Sequence, residues 1–366
     1  MNLPTSLTKV SRLPCLDGWR CISILLVLLN HSRQLPGYDP SWDAFVRWLP
    51  DGRFGVEVFF VISGFLITFL LLKEKEKTGS VSLKMFYIRR ALRILPAYFA
   101  FLIVLLGLCY FTMLKISPSC WISLLTFTAN FFTSPWICLH LWSLSVEEQF
   151  YLLWPLITYL YIGGKKSFIK LMLALMIAIV LAPIFRIYGY MQPDSLLFYK
   201  NSFFLYWDSL AIGCTLALLI GYWGSQIETV VEKKPHVFIL LGLILITIPL
   251  IATRLLILGF FTVPFTVTFN AIGVALLILV SLMRPDLACF RCLEWKPVAA
   301  VGVISYSLYL WQQLFCTSSK DYGLISTPWF LSFPLWIVAS FCAAVISYNF
   351  IEKPFISLKS RIQSKA

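Results

Sequence analysis

The chain has 366 residues and a formal net charge of +13, with 59% hydrophobic and only 13% charged residues. Soluble domains contain about 45–50% apolar and about 25% charged residues, so this composition excludes a soluble globular protein, a disordered chain and a coiled coil. The long, uninterrupted apolar runs indicate a polytopic membrane protein built from helices rather than from the alternating strands of a β-barrel.

Apolar stretches of about 20 residues, long enough to cross a bilayer, predict ten transmembrane helices. In chain order they are Leu16–Leu35, Phe54–Leu72, Ile94–Leu114, Ser143–Ile162, Phe168–Tyr188, Ser202–Tyr222, His236–Thr253, Leu258–Met283, Val298–Cys316 and Trp329–Phe350. The predicted fold is therefore an all-α membrane bundle formed by residues 10–356. We expect a short cytoplasmic tail, residues 357–366, and no fused soluble domain.

Lys and Arg residues are distributed unevenly between the two sides of these predicted helices. With the N-terminus placed in the cytoplasm, 22 of the 30 basic residues fall in or next to cytoplasmic segments. Because cytoplasmic loops of membrane proteins are enriched in Lys and Arg, both termini are predicted to be cytoplasmic. Topology thereby explains the positive charge, and nucleic acid is not expected as a partner.

The first two predicted helices contain ionisable residues, which are costly inside a bilayer and therefore mark candidate functional sites. Arg20 and His31 share one face of the first helix, ~16 Å apart, and Asp17 is placed to pair with Arg20. The second helix brings Glu57 to a depth similar to that of His31. Imidazole transfers protons near neutral pH. Each residue also has a structural alternative. His31 could hydrogen-bond to a neighbouring helix, Arg20 could extend its guanidinium to the membrane surface, and Glu57 could lie at the membrane interface.

Three arginines, Arg89, Arg90 and Arg93, are clustered where the third predicted helix begins on the cytoplasmic side. Guanidinium groups bind phosphates and pyrophosphates through bidentate hydrogen bonds. The cluster is therefore a candidate site for a polyanionic ligand. The alternative is a topology signal that contacts anionic lipids.

Two adjacent carboxylates, Glu147 and Glu148, lie within the fourth predicted helix, where packing alone does not explain them. His140 and Glu147 fall on a single stripe at helical spacing, whereas Glu148 points about 100° away. Asp208 lies at a similar depth in the sixth helix, with a purely structural role as the alternative. We expect these groups to converge with those of the first two helices on one interior site.

The remaining helices and loops contain fewer ionisable residues. Hydroxyl and amide groups at 305–313 are interpreted mainly as interhelical hydrogen-bonding groups, and Glu352 is assigned a structural role. Cys120 and Cys138 share one predicted outer loop. They form either a disulfide in an oxidising compartment or a pair of small apolar fillers. No metal site is expected, because the CxxC spacing at 289–292 has no second cysteine pair.

Several motifs, taken together and in this order, make the chain resemble the acyltransferase-3 family of integral membrane acyltransferases, which includes bacterial O-antigen and exopolysaccharide O-acetylases. The resemblance covers about residues 10–356. The motifs are LDGWR at 16–20 with His31 beyond it, GVEVFFVISGF at 55–65, FYIRR at 86–90 with Arg93, HLWSL at 140–144 continuing through Glu147 to Tyr151, ISYSLYLW at 304–311 and FIEKP at 350–354.

The resemblance implies an acyl-CoA donor, usually acetyl-CoA, that enters from the cytoplasm, and a glycan hydroxyl as acceptor. The family's Arg and His of helix one correspond to Arg20 and His31, and its helix-three arginines correspond to Arg90 and Arg93. Many members have a His where this chain has Gln312, which weakens any catalytic role for that helix. Some members also have a fused extracytoplasmic domain, which is not expected here.

The expected mechanism begins with His31 as the general base that takes the proton of the acceptor hydroxyl, so that the alkoxide attacks the thioester. Glu147 or Glu57 orients the imidazole, and an acyl-His intermediate is an alternative route. The predicted site residues are catalytic His31, Glu57 and Glu147, substrate-binding Arg20, Arg89, Arg90, Arg93, His140, Trp142 and Asp208, and structural Asp17 and Glu352.

The expected function is acetyl transfer from acyl-CoA to a lipopolysaccharide O-antigen or exopolysaccharide at a bacterial inner membrane. The expected partners are acyl-CoA, a glycan or lipid-linked glycan and membrane lipids, without a permanently bound cofactor. The alternative is a transporter of a glycan or lipid-linked precursor, although we find none of the internal repeats typical of many transporters. A purely structural scaffold is disfavoured by the intramembrane His and Glu residues.

Overall fold

The structure, a computed structural model, describes residues 13–33, 35, 37–132, 134–161, 165–192, 202–323 and 326–363, and all regular secondary structure in these segments is helical. The principal helices are α1 (Pro14–Ser32), α2 (Gly52–Thr78), α3 (Leu83–Phe111), α4 (Pro118–Leu125), α5 (Leu141–Tyr161), α6 (Lys165–Met191), α7 (Phe203–Lys233), α8 (Pro235–Arg254), α9 (Gly259–Met283), α10 (Lys296–Val303), α11 (Ser305–Phe315), α12 (Leu335–Ser347) and α13 (Lys353–Gln363). The prediction of an all-α polytopic membrane protein is confirmed.

Seven single helices in the described segments are long and apolar enough to span a membrane, and the pair α10–α11 forms an eighth candidate. This pair is bent by 69°, so the single ninth span predicted from the sequence is two half-helices. The other two predicted spans, α1 and α5, have 19 and 21 residues. At 1.5 Å per residue they measure about 28 and 31 Å, and their charged residues lower their hydropathy. The count of ten spans stays a prediction.

The two ends of the bundle are distinguished by α2 and α3. The Asp51 carboxylate caps the first turn of α2, and Gly79, with φ of +76°, ends it in the left-handed conformation that glycine adopts readily. The Ser82 hydroxyl then caps α3. The end where α2 stops and α3 starts, residues 73–93, is rich in Lys and Arg; we call it the basic end. The opposite end, where α2 begins, is the distal end.

Close helix packing at the centre of the bundle depends on glycines. Gly64 of α2 faces the backbone of α7, and Gly213 of α7 faces the backbone of α2, so that a Cβ at either position would overlap a carbonyl oxygen. Gly302 packs in the same way against the Asp17 carbonyl of α1. These contacts fix α2 between α1 and α7 and hold α10 against α1, which positions the helices that line the interior cavities.

Adding a methyl group at Gly213 should therefore destabilise the bundle. We expect Gly213→Ala to lower the stability of the purified protein by about 1–3 kcal/mol, because the overlap with the Val61 carbonyl forces α2 and α7 apart. A denaturant titration in detergent micelles measures this effect. Gly107→Ala is the matched control: no atom lies within 4 Å of the added Cβ, and Ala favours the helix over Gly. Equal unfolding midpoints for the two variants would contradict the predicted packing.

Candidate functional site

A cavity of about 750 Å³ lies inside the bundle among α1, α2, α3, α5 and α11. We call it the arginine cavity, because Arg20, Arg90 and Arg93 line it together with Glu147 and Tyr151. The structure thus brings the arginines of α1 and α3 together with a carboxylate of α5.

Positive charge dominates the arginine cavity. The guanidinium of Arg90 lies 4.1 Å from the centre of the Tyr151 ring, a cation–π contact, and Arg20 is paired with Asp17 at 3.3 Å. Arg93 forms no ion pair within the described part of the chain. One carboxylate accompanies the three guanidinium groups among the lining residues that the structure describes. The cavity is therefore suited to an anionic ligand such as a phosphate ester.

A second cavity of about 1440 Å³ opens at the basic end, and we call it the vestibule. It shares Leu66, Arg90 and Arg93 with the arginine cavity, so the same two guanidinium groups contact both spaces. Arg89 also lines the vestibule, but it is paired with Glu74 at 2.6 Å. Arg90 and Arg93 therefore mark a route from the basic end to the interior, whereas Arg89 lies at its outer part.

Glu147 is held in the arginine cavity by hydroxyl groups. Ser63 of α2 donates a hydrogen bond of 2.5 Å to Glu147 Oε1, and the Tyr151 hydroxyl donates to Ser63 at 3.0 Å. Neither Glu147 nor Glu57 forms a hydrogen bond with His31 in the described structure. The contact expected between a carboxylate and the imidazole is therefore not present, because both carboxylates are engaged elsewhere.

His31 instead pairs with the amide of Gln312 on α11. The distance from His31 Nδ1 to Gln312 Oε1 is 3.0 Å, and Gln312 is fully buried. The Trp136 ring packs edge-on against the imidazole with centroids 5.1 Å apart. Because an amide oxygen can only accept, Nδ1 carries the proton and Nε2 is left as the basic nitrogen. Gln312, where many family members have His, is thus the hydrogen-bond partner of the imidazole. This role is not predicted from the sequence.

The neighbouring amide, Gln313, contacts His140. The backbone N–H of His140 donates to Gln313 Oε1 at 3.0 Å, and His140 Nε2 lies 3.1 Å from the Leu310 carbonyl oxygen. Tyr309, which lines the arginine cavity, donates to the His140 carbonyl at 2.9 Å. Consecutive glutamines of α11 therefore hold the two intramembrane histidines, and His140 lies behind the cavity wall rather than in the cavity.

Glu57 lies on the face of α2 that points away from the arginine cavity. It accepts a hydrogen bond of 2.9 Å from Asn270 of α9, whereas its neighbour Val56 lines the arginine cavity. Consecutive helical residues point about 100° apart, which explains the separation. Glu57 is expected from the sequence to share one interior site with Glu147, but the two carboxylates lie on different sides of α2.

Asp208 is also outside the arginine cavity. It accepts hydrogen bonds from Arg186 of α6 and, at 2.6 Å, from Thr268 of α9. Arg186 falls within the predicted helix Phe168–Tyr188, but the sequence alone does not show which residue of another helix it faces, so this buried ion pair is not predicted. The substrate-binding role predicted for Asp208 has no support from its contacts, which are those of a structural ion pair.

Other predicted residues have mainly packing contacts. The Trp142 ring packs against Tyr206 with centroids 5.0 Å apart, and Glu352 accepts a hydrogen bond from Ser307 of α11. The buried sulfur atoms of Cys120 and Cys138 are 3.9 Å apart, so the two thiols touch without being bridged. Within the described segments, no group of three or more His, Cys, Asp or Glu side chains is arranged to hold a metal ion.

The contact between Gln312 and His31 predicts an effect on the pH dependence of any proton transfer by His31. In Gln312→Glu, the carboxylate favours the charged imidazolium, so the acidic limb of the pH–rate profile should move to higher pH, by about one unit. Gln312→Leu removes the orienting acceptor and should slow the reaction about tenfold. Gln226→Glu, the same change at an exposed position of α7, is the control. An unchanged acidic limb in Gln312→Glu would exclude the contact from the mechanism.

Comparison with known proteins gives several matches. A protein-family model described as "Acyltransferase domain" matches residues 13–349. The chain is 28% identical over 372 residues to the peptidoglycan O-acetyltransferase OatA of Listeria monocytogenes, a match that covers 95% of this chain and 56% of that protein. It is 30% identical over 380 residues to a Staphylococcus aureus protein named "Putative O-acetyltransferase", with coverages of 96% and 58%.

A third relative, from Bacillus subtilis, is named "Putative peptidoglycan O-acetyltransferase YrhL" and is 27% identical over 366 residues, with coverages of 93% and 54%. The chain thus spans a little over half the length of these curated relatives. No solved structure matches the chain.

Proposed function

The chain belongs to the acyltransferase-3 family, as its motifs predict, and from this membership we propose that it is an integral membrane O-acetyltransferase. In this proposal, acetyl-CoA is a co-substrate that enters at the basic end, on the cytoplasmic side of a bacterial inner membrane. Its acetyl group passes to a hydroxyl of a cell-envelope glycan. The observation that carries the proposal is the convergence of Arg20, Arg90 and Arg93 in a cavity that is continued by the vestibule.

Several features support acetyl-CoA as the donor. The phosphates of CoA are polyanionic, and the guanidinium groups of Arg90 and Arg93 contact both the vestibule and the arginine cavity. Ser305 and Tyr306, in the first turn of α11, also line the arginine cavity, and the beginning of a helix carries partial positive charge that favours anions. These groups would hold the phosphates near the basic end while the thioester arm extends toward the distal end.

In this proposal His31 acts as the general base at the far end of that arm. It is not among the described lining residues of the arginine cavity, but its partner Gln312 lies close to that lining. Tyr309 lines the arginine cavity, and Gln312, which holds His31, follows one helical turn later, about 4.5 Å along α11. His31 Nε2 takes the proton of the acceptor hydroxyl, the alkoxide attacks the thioester carbonyl, and the CoA thiolate leaves and recovers that proton. An acyl-His31 intermediate leads to the same ester and thiol.

The names of the relatives favour peptidoglycan as the acceptor. The Listeria monocytogenes and Bacillus subtilis proteins are both named for peptidoglycan, so we place a peptidoglycan strand ahead of the lipopolysaccharide O-antigen or exopolysaccharide expected from the sequence. Mass spectrometry of envelope glycans from wild-type and deletion strains identifies the acceptor. The proposal expects acetyl groups on one glycan to disappear in the deletion strain.

A direct test uses purified protein in lipid nanodiscs with acetyl-CoA and soluble peptidoglycan fragments. We expect release of the CoA thiol together with acetyl ester on the fragments. The rival function, export of a glycan or lipid-linked precursor, predicts translocation in proteoliposomes without acetyl-CoA consumption. Translocation in proteoliposomes, with neither thiol release nor ester formation on any envelope glycan, would rule out the proposed acetyltransferase activity.

A further inference from the structure

A third cavity, of about 890 Å³, lies at the distal end of the bundle; we call it the distal cavity. It is formed by the beginnings of α2, α7 and α9 and by the end of α8. Helix α2 separates it from the arginine cavity, since Val56 and Phe60 line the arginine cavity while Glu57 lines the distal cavity. The arginine cavity and the distal cavity therefore lie back to back on opposite faces of one helix.

The charges of the distal cavity are balanced, unlike those of the arginine cavity. Asp51 and Glu57 line it together with Arg53 and Arg254. By formal charge, two carboxylates and two guanidinium groups are present among the described lining residues, in contrast to the excess of guanidinium groups in the arginine cavity. Such a mixture of donors and acceptors suits a neutral, strongly hydrogen-bonding ligand.

Buried polar atoms in the distal cavity lack partners. Asn270, only 6% exposed, donates to Glu57, but its Oδ1 accepts no hydrogen bond from the described residues. The Nε atom of Arg254 is likewise buried and lacks an acceptor there. Buried polar groups in proteins are nearly always hydrogen-bonded. A ligand hydroxyl can satisfy both kinds of atom, because it is at once a donor and an acceptor.

Aromatic rings supply the apolar part of the same cavity. Phe54 and Tyr206 line it, and the Tyr206 ring packs against Phe60 with centroids 6.2 Å apart. Tyr206 and Phe60 thus form part of the wall between the distal cavity and the arginine cavity. A sugar ring has apolar C–H faces and a rim of hydroxyls, which matches aromatic rings bordered by carboxylate, amide and guanidinium groups.

The rim of the distal cavity lies next to the residue that precedes His31. Asp51 lines the cavity, and the following residue, Gly52, packs against the side chain of Asn30, with 3.1 Å between the position of a Gly52 Cβ and the Asn30 Cβ. A polymer anchored in the distal cavity can therefore continue across this contact toward the imidazole. A polymeric acceptor can use such an arrangement, because the sugar that is held need not be the sugar that reacts.

We infer that the distal cavity is a binding subsite for neutral sugar residues of the acceptor glycan, through Glu57, Asn270 and Arg254. This inference rests on the proposed acetyltransferase function and assigns Glu57 to acceptor binding rather than to orientation of His31. It also separates the two substrates by charge, with the polyanionic donor in the arginine cavity and the neutral part of the acceptor in the distal cavity.

The test fills the distal cavity and leaves the rest of the protein unchanged. Thr266 of α9 lines the cavity, whereas Thr247 of α8 is exposed; each hydroxyl donates to the carbonyl four residues earlier. Thr266→Trp and Thr247→Trp are therefore matched variants. Each is expressed in a strain that lacks the chromosomal gene, and alkali-labile acetate on the envelope glycan is measured. The dissociation constant for acetyl-CoA is measured on the purified protein.

We expect Thr266→Trp to lower glycan acetylation at least tenfold with an unchanged dissociation constant for acetyl-CoA, and Thr247→Trp to behave as wild type. Wild-type acetylation by Thr266→Trp would overturn the inference. If the strain that expresses the wild-type gene shows no acetate on the envelope glycan, the proposed acetyltransferase function itself would be contradicted.

A second pair of variants covers the case in which Thr266→Trp fails to fold. Arg254→Leu should lower glycan acetylation about tenfold, because it removes a charged hydrogen-bonding group from the cavity. Arg47→Leu, at an exposed arginine outside the cavity, should not. Equal acetylation by these two variants and the wild type would also overturn the inference.

Discussion

Replacing His31 by alanine should reduce acetyl transfer by about 10²–10⁴-fold, the range by which a positioned general base accelerates such reactions. The imidazole is held by Gln312 at Nδ1, which leaves Nε2 free to accept the proton of the acceptor hydroxyl. Without the imidazole, the acceptor hydroxyl must attack the thioester while it is still protonated. The rate of CoA thiol release in the presence of saturating acetyl-CoA and acceptor measures the loss.

The chain supplies a matched control for this experiment. It has three histidines, and His236 at the start of α8 is exposed and lies outside the described cavities. His236→Ala should retain wild-type activity. Binding of acetyl-CoA should be similar in His31→Ala and wild type, because His31 is ~16 Å along α1 from Arg20. Full transfer activity in folded His31→Ala would disprove the role of His31.

Replacing both Arg90 and Arg93 by leucine should weaken the apparent affinity for acetyl-CoA about 100-fold or more. Hydrogen bonds to charged groups each contribute about 1.5–3 kcal/mol, and about 1.4 kcal/mol corresponds to a factor of ten. The turnover at saturating acetyl-CoA should fall much less, because in the proposed function these residues hold the phosphates rather than the reacting thioester. The concentration dependence of thiol release separates the two effects.

A comparison of donors makes this prediction specific to phosphate binding. Wild-type protein should prefer acetyl-CoA to acetyl-pantetheine, which lacks the phosphates, and the Arg90→Leu/Arg93→Leu variant should lose that preference. Arg284→Leu is the control, because Arg284 is partly exposed, pairs with Asp286 at 2.7 Å and lies outside the described cavities. A preference for acetyl-CoA that survives in the double variant would show that the phosphates bind elsewhere.

The sequence predicts the helical fold, and it identifies several of the polar residues that line the arginine cavity. Long apolar runs identify the helices, and the rare polar residues within them identify candidates for function, because a bilayer disfavours such residues. Arg20, Arg90, Arg93 and Glu147 do line one cavity. The sequence places the three arginines toward the basic end, whereas it does not predict that Glu147 joins them in one cavity.

The sequence does not predict how each helix is rotated about its axis relative to the others. Glu57 and Glu147 have similar predicted depths, yet they line different cavities, since α2 directs Glu57 toward α9 and Ser63 toward Glu147. The pairing of Gln312 with His31 also depends on the break before Ser305, which sets the direction of α11. These pairings between helices depend on tertiary packing, and the periodicity of a single sequence does not predict them.

The location of Arg20 and His31 on the single helix α1 has a consequence for substrate choice. A helix keeps a constant rise per residue, so the separation of ~16 Å between these residues acts as a ruler inside the membrane. In the proposed reaction, a CoA thioester held at Arg20 would present its carbonyl at one depth, whatever acyl group is attached. Short and long acyl chains would therefore differ only beyond the carbonyl. Trp136, whose ring packs edge-on against the imidazole, is the side chain whose size we expect to influence which acyl groups are accepted.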